Sequence, residues 1–117
     1  MKQELDILEY NGDGYAPVMH FEAWRVALLN YCDRFDPSCP IKMERHLLTD
    51  EVFVLLGGEA TLYIGEEMVV YPMEKNKIYN VRAGVWHRIT TSRDAKVLIV
   101  ENDDTSVDNS EYWEKGN

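Results

Sequence analysis

Two short stretches of this chain place imidazoles and carboxylates close enough to do chemistry together. The first is Glu44-Arg45-His46, followed through Leu47-Leu48-Thr49-Asp50 by Glu51; the second is Gly84-Val85-Trp86-His87. Side chains alternate between the faces of a β-strand, so Glu44 and His46 share a face and Arg45 points away as a surface charge. His46 and Glu51 lie an odd number of positions apart, and one straight strand would put them on opposite faces. A turn at Leu48-Thr49-Asp50 that starts a second strand would fold Glu51 back beside them. Following the Gly84 turn, His87 shares a face with Val85 and Ile89.

Two imidazoles with one or two carboxylates suit a first-row divalent ion such as Zn, Mn, Fe or Ni, leaving positions open for water or substrate. His46, Glu51 and His87 are the expected ligands, with Glu44 the fourth. Without a metal, Glu44 or Glu51 beside a histidine can act as a general acid–base pair. Arg82 and Arg88 are candidates to clamp a substrate carboxylate, because a guanidinium binds one with two hydrogen bonds. Tyr79 is counted with them as a substrate contact, although by type it suits a pocket wall or core, as do Trp24, Trp86 and Tyr63. His20 stands alone and is expected to be packed or solvated.

The elements that must hold these residues are short. Val52 to Leu56 ends at Gly57-Gly58 and Ala60 to Ile64 ends at Gly65, which predicts a hairpin with a glycine loop. Met68 to Tyr71, Ile78 to Val81, Val85 to Thr90 and Val97 to Val100 are further strands. Trp24 to Tyr31 fits one strand or two helical turns, since its apolar residues follow neither period cleanly. Strand-sized runs recur about every 8–12 residues with no long amphipathic helix, the pattern of an all-β sandwich or barrel. The core is expected to span about 17–101, with 102–117 an acidic, irregular tail against which Tyr112-Trp113 could still dock.

At 117 residues and 45% apolar composition the chain makes one domain with a real core. Its net charge is −9, and the ends carry most of the excess: residues 1–16 hold four acids and one Lys, residues 101–117 six acids and one Lys. Such a chain is a poor partner for nucleic acid or an anionic membrane surface. There is no membrane-span-length apolar run and no apolar leader, so a cytoplasmic setting is expected. Cys32 and Cys39 match no tight zinc or redox spacing and are expected as free thiols. Exposed sheet edges in a small β-protein favour a homodimer as the simplest closed solution.

The series His46-x4-Glu51-x5-Gly57, then Gly84-x2-His87 about 30 residues on, resembles the two motifs of the cupin superfamily. That resemblance implies a jelly roll or small β-barrel with a divalent metal held inside it. Glu44 stands where those motifs place their first histidine. Glu-Arg-His at 44–46, Phe53 and Val-Trp-His at 85–87 also look like ureidoglycolate lyases, a cupin branch that releases urea from ureidoglycolate and leaves glyoxylate. The implied function is metal-assisted chemistry on a small polar carboxylate or ureido substrate. A cupin that binds a small molecule or metal without turnover, and a metal-dependent sugar isomerase, are the alternatives.

Overall fold

A computed structural model describes residues 4–115, which fold into ten strands: β1 (Tyr15–Phe21), β2 (Trp24–Asn30), β3 (Lys42–His46), β4 (Glu51–Gly57), β5 (Ala60–Ile64), β6 (Val69–Pro72), β7 (Tyr79–Val81), β8 (His87–Thr91), β9 (Lys96–Asn102) and β10 (Ser110–Glu114). They form two five-stranded antiparallel sheets, β1-β2-β9-β4-β7 and β10-β3-β8-β5-β6. The fold is thus all-β, a jelly-roll sandwich rather than one closed barrel. Apart from two single-turn 3-10 segments, at Asp33–Phe35 and Val107–Asn109, no helix occurs among the described residues, and none is long and apolar enough to cross a membrane.

Alternation along the strands builds the core. Val97 and Ile99 of β9, Phe53 and Leu55 of β4, and Leu29 of β2 point inward from one sheet; Ala60 and Leu62 of β5 and Ile89 of β8 meet them from the other. The segment from Trp24 resolves as a strand: Ala27 and Leu29 pack into the core while the neighbouring β1 and β9 take its backbone hydrogen bonds.

Two expectations change. β4 and β5 are not a hairpin, because they belong to opposite sheets. Gly57-Gly58 instead carries the chain across the sandwich: Gly58 has φ +66° and lies so close to the backbone of Ala95 that a Cβ would come within 2.6 Å of its Cα. Only glycine fits both demands. The tail is also not irregular throughout, since Ser110–Glu114 pairs with β3 from Ser110 opposite His46 to Glu114 opposite Lys42. An acidic composition reads as solvated, but a strand needs only one side to find backbone partners, and four of the five β10 residues stay exposed. Tyr15–Phe21 forms the edge strand of its sheet, beside β2. Cys32 and Cys39 are free thiols.

Candidate functional site

The inward alternation turns polar at one end of the sandwich. Glu44 and His46 come from β3, Glu51 from the start of β4, His87 from the start of β8 and Glu101 from the end of β9. The turn expected at Leu48-Thr49-Asp50 is present and tied down: Thr49 Oγ1 accepts from Asn102 N (3.1 Å) and Asp50 Oδ1 accepts from Ala83 N (2.8 Å). Register does the rest. Glu44 pairs with His87 across β3 and β8. The β4–β9 register that pairs Val52 with Val100 continues so as to set Glu51 across from Glu101. A further bond from Gly84 N to His46 O (2.8 Å) ties the end of β3 to the loop that leads into β8.

At the centre, Glu51 Oε1 lies 3.1 Å from His46 Nε2 and 3.0 Å from His87 Nε2. Glu44 Oε1 stands 4.0 and 3.8 Å from the same two nitrogens. Despite these distances, Glu51 Oε1 and His87 Nε2 are buried without an aligned hydrogen bond. The other side of the His87 ring explains why. His87 Nδ1 is 3.1 Å from the carbonyl of Val85, which can only accept, so Nδ1 carries the hydrogen. In the neutral ring Nε2 is then a bare lone pair aimed at a carboxylate oxygen. His46 Nδ1 lies 2.7 Å from Ser110 Oγ, a hydroxyl that can donate or accept and holds the ring in place.

Acceptors converging at 3.0–3.1 Å need a positive charge between them. Two ligands of an ion with bonds of about 2.0–2.1 Å stand about 3.0–3.4 Å apart, so the spacing fits a divalent metal. Ligating histidines anchored through Nδ1 by a carbonyl or hydroxyl fit it equally. In its absence a proton takes the place. Burial alone pushes the His46 and His87 values down, yet the contact and charge of Glu51, reinforced by Glu44, raise both. Burial likewise pushes Glu51 up, and the two imidazoles outweigh it and hold its carboxyl down at about 2.

Behind this group lies a set of residues that no motif marked. Glu101 Oε1 accepts from Tyr15 Oη (2.7 Å) and Arg25 Nη2 (2.8 Å), and Arg25 also donates to Tyr15 Oη and to the carbonyls of Asp103 and Thr105. Four of the five guanidinium N–H groups of Arg25 are thereby engaged, which makes it a structural clamp. Burial and the charge of Glu51 raise the Glu101 carboxyl above its usual range, with Tyr15 and Arg25 acting the other way. Tyr15 is raised too, by burial first and then by Glu101. The signal was present in the sequence: inward positions 97, 99 and 101 read Val, Ile, Glu.

Not every candidate arrives at the site. Arg88 does reach its edge: it donates to Cys39 O (2.9 Å), stacks over the Tyr63 ring and lines a groove of about 720 Å³ together with Glu44 and His87. Arg34, Lys42 and Lys115 line that same groove. Arg82 is exposed in the β7–β8 loop, its charge beside Asp50. Tyr79 packs against the core and its hydroxyl accepts from Glu74 N (2.9 Å). Neither lines the groove or the smaller cavity of about 170 Å³ over the His46–Glu51–His87 cluster. Arg45 points away, pairing with Glu111 and stacking on Trp86. His20 is exposed, with Asp103 at 3.5 Å.

No family model and no curated protein matches the chain. Solved structures do. A cupin-2 domain protein from Shewanella frigidimarina is similar at TM-score 0.61 and 17% identity, over 80% of this chain and 84% of that one. Pac13, a Streptomyces nucleoside dehydratase, is similar at TM-score 0.65 and 6% identity, over 92% and 85%. KdgF from Halomonas follows at 0.56 and 10%, over 75% and 76%. At such identities the likeness is one of fold. The chain therefore has the cupin fold, and it carries its cluster of imidazoles and carboxylates on the inner face of that fold.

Proposed function

We propose that this protein is a metal-dependent cupin enzyme acting on a small, polar, carboxylate-bearing substrate, with release of urea from a ureido acid as its sharpest form. The observation that carries the reading is the convergence of His46 Nε2, His87 Nε2 and Glu51 Oε1 within 3.1 Å without a shared hydrogen bond. A divalent ion held there would polarise a substrate carbonyl or acidify a bound water.

The chain's own residues supply the remainder. In a protein of charge −9, four cations (Arg34, Lys42, Arg88 and Lys115) edge the groove that leads to Glu44 and His87. They favour an anion and would hold its carboxylate at the rim. Phe53 and Ile89 wall the inner cavity and keep water from its apolar side. Glu44, partly exposed, can exchange a proton with whatever occupies the groove. In the ureido-acid form, a Glu44 carboxylate oxygen takes the proton of the substrate hydroxyl. The carbon–nitrogen bond then breaks as the carbonyl forms, and the proton passes to the departing urea nitrogen.

Metal analysis of the purified wild type beside the double variant His46→Ala, His87→Ala tests the reading, followed by assay of urea release from ureido acids with the metal added. Stoichiometric metal that the variant loses, together with turnover, supports it. A wild type that takes up no zinc, manganese, iron or nickel removes the metal; a loaded protein that binds carboxylates without product is a binding cupin.

A further inference from the structure

The donor atoms around His46 fall into two overlapping triads. Glu44, His46 and His87 form one towards the groove; His46, Glu51 and Glu101 form the other towards β9, and within each triad the donor atoms all lie within 4.8 Å of one another. These triads leave different carboxylates over. Glu101 is 4% exposed at its side chain, and its Oε2 is buried with no hydrogen-bond partner. Its other oxygen is fully engaged by Tyr15 and Arg25. A proton on Oε2 would find no acceptor at His46 Nε2, which stands 4.0 Å away, beyond hydrogen-bond reach. Glu44 is different, since its side chain is 30% exposed and borders the groove, where water can solvate it.

An ion held by the outer triad leaves a buried oxygen of Glu101 bare, with the charge of Glu51 beside it; an ion held by the inner triad together with His87, whose buried Nε2 lies 3.0 Å from Glu51 Oε1, leaves only Glu44 unused, at little cost. Burying an unpartnered carboxylate oxygen is the more expensive of the two. Charge agrees, because two carboxylates neutralise a divalent ion in the inner triad and only one does so in the outer. From this asymmetry we infer that Glu101, rather than Glu44, is the carboxylate that joins His46 and Glu51 as a metal ligand, which frees Glu44 to act on substrate. Tyr15 and Arg25 are then positioning residues, holding Glu101 Oε1 so that Oε2 faces the ion.

This assignment rests on the proposed metal-dependent reading. The test is a Zn2+ titration of metal-free protein in competition with a chromophoric chelator, repeated with Co2+ to record its absorption spectrum. Wild type, Glu101→Gln, Glu44→Gln and Tyr15→Phe are compared, and thermal unfolding of each metal-free form checks the fold. Glu101→Gln should weaken Zn2+ by about 100-fold or more and alter the Co2+ spectrum, whereas Glu44→Gln should preserve affinity and spectrum and abolish turnover. Tyr15→Phe, which removes only the orienting hydroxyl, should weaken Zn2+ by about 10-fold. It carries the test should Glu101→Gln fail to fold. Wild-type affinity in Glu101→Gln, or in Tyr15→Phe with Glu101→Gln unfolded, overturns the assignment and leaves the metal reading intact, as does equal metal loss from Glu44→Gln. A wild type that binds neither ion overturns both.

Discussion

The inner face of this sandwich has two halves built by one rule and filled with opposite chemistry. Along β9 the inward positions run Val97, Ile99, Glu101; along β4 they run Glu51, Phe53, Leu55; along β8, His87, Ile89, Thr91. Because β4 and β9 are antiparallel, the polar end of one lies beside the polar end of the other. One half is therefore a dry core and the other a charged cluster, with Phe53 and Ile89 on the border, where the Phe53 ring meets His87 edge-on at 6.0 Å. The lesson is that burial says nothing about role here. Glu51 at 5% exposure is as deep as Leu55 at 4%. The residue type at a common depth decides whether a position holds the fold or does chemistry.

Substitutions at equal depth in the two halves should separate stability from function. The largest effect expected is on turnover in the polar half: Glu51→Gln should cost about 10³-fold or more in kcat/KM and release the metal. Kinetics and metal analysis on the same sample check it, and wild-type turnover would break the division. In the dry half, Leu55→Ala should lower unfolding free energy by about 2–5 kcal/mol, read by urea denaturation. Should both variants change stability alike, the two halves are one core.

Acidity sharpens the same contrast. The raised His46 and His87 values give the metal-free protein stability that is fully present below the ordinary histidine value of 6.5 and lost as pH rises through the raised values. Glu51 works in the other direction: its contribution is present above 4.5 and lost as pH falls towards about 2. Metal-free protein should therefore be most stable between these limits and weaken from pH 6.5 upward, while metal affinity climbs over the same range because bound imidazoles must be deprotonated. Melting curves with and without chelator from pH 5 to 9 on this order test it, and parallel curves would refute it. The smallest effect belongs to the outer surface: Glu111→Gln, which breaks the exposed pair with Arg45, should cost about 0–1 kcal/mol and leave metal affinity alone.

Much of the site was legible because strand alternation is local. Glu44 and His46 on one face, a turn at Leu48-Thr49-Asp50 and Glu51 returning beside them follow from period-two geometry and a turn signal, and so did most strands from Val52 onward. Arg82 and Tyr79 were less readable: which way a loop arginine faces, or whether an aromatic packs in the core or the groove, depends on neighbours distant in sequence. Glu101 was hidden for a related reason. Composition assigned it to an acidic end, although its phase with Val97 and Ile99 pointed inward.

By itself the sequence determined the residue types, their alternation and hence the all-β architecture, because these are properties of single strands. The tertiary structure decided which strands became neighbours. It split β4 from β5 across two sheets at Gly58, where only a residue without a Cβ can pass Ala95. It also laid Ser110 against His46, and Tyr15 and Arg25 against Glu101. Those meetings depend on long-range register, and register is set by the whole hydrophobic face packing at once rather than by any one segment.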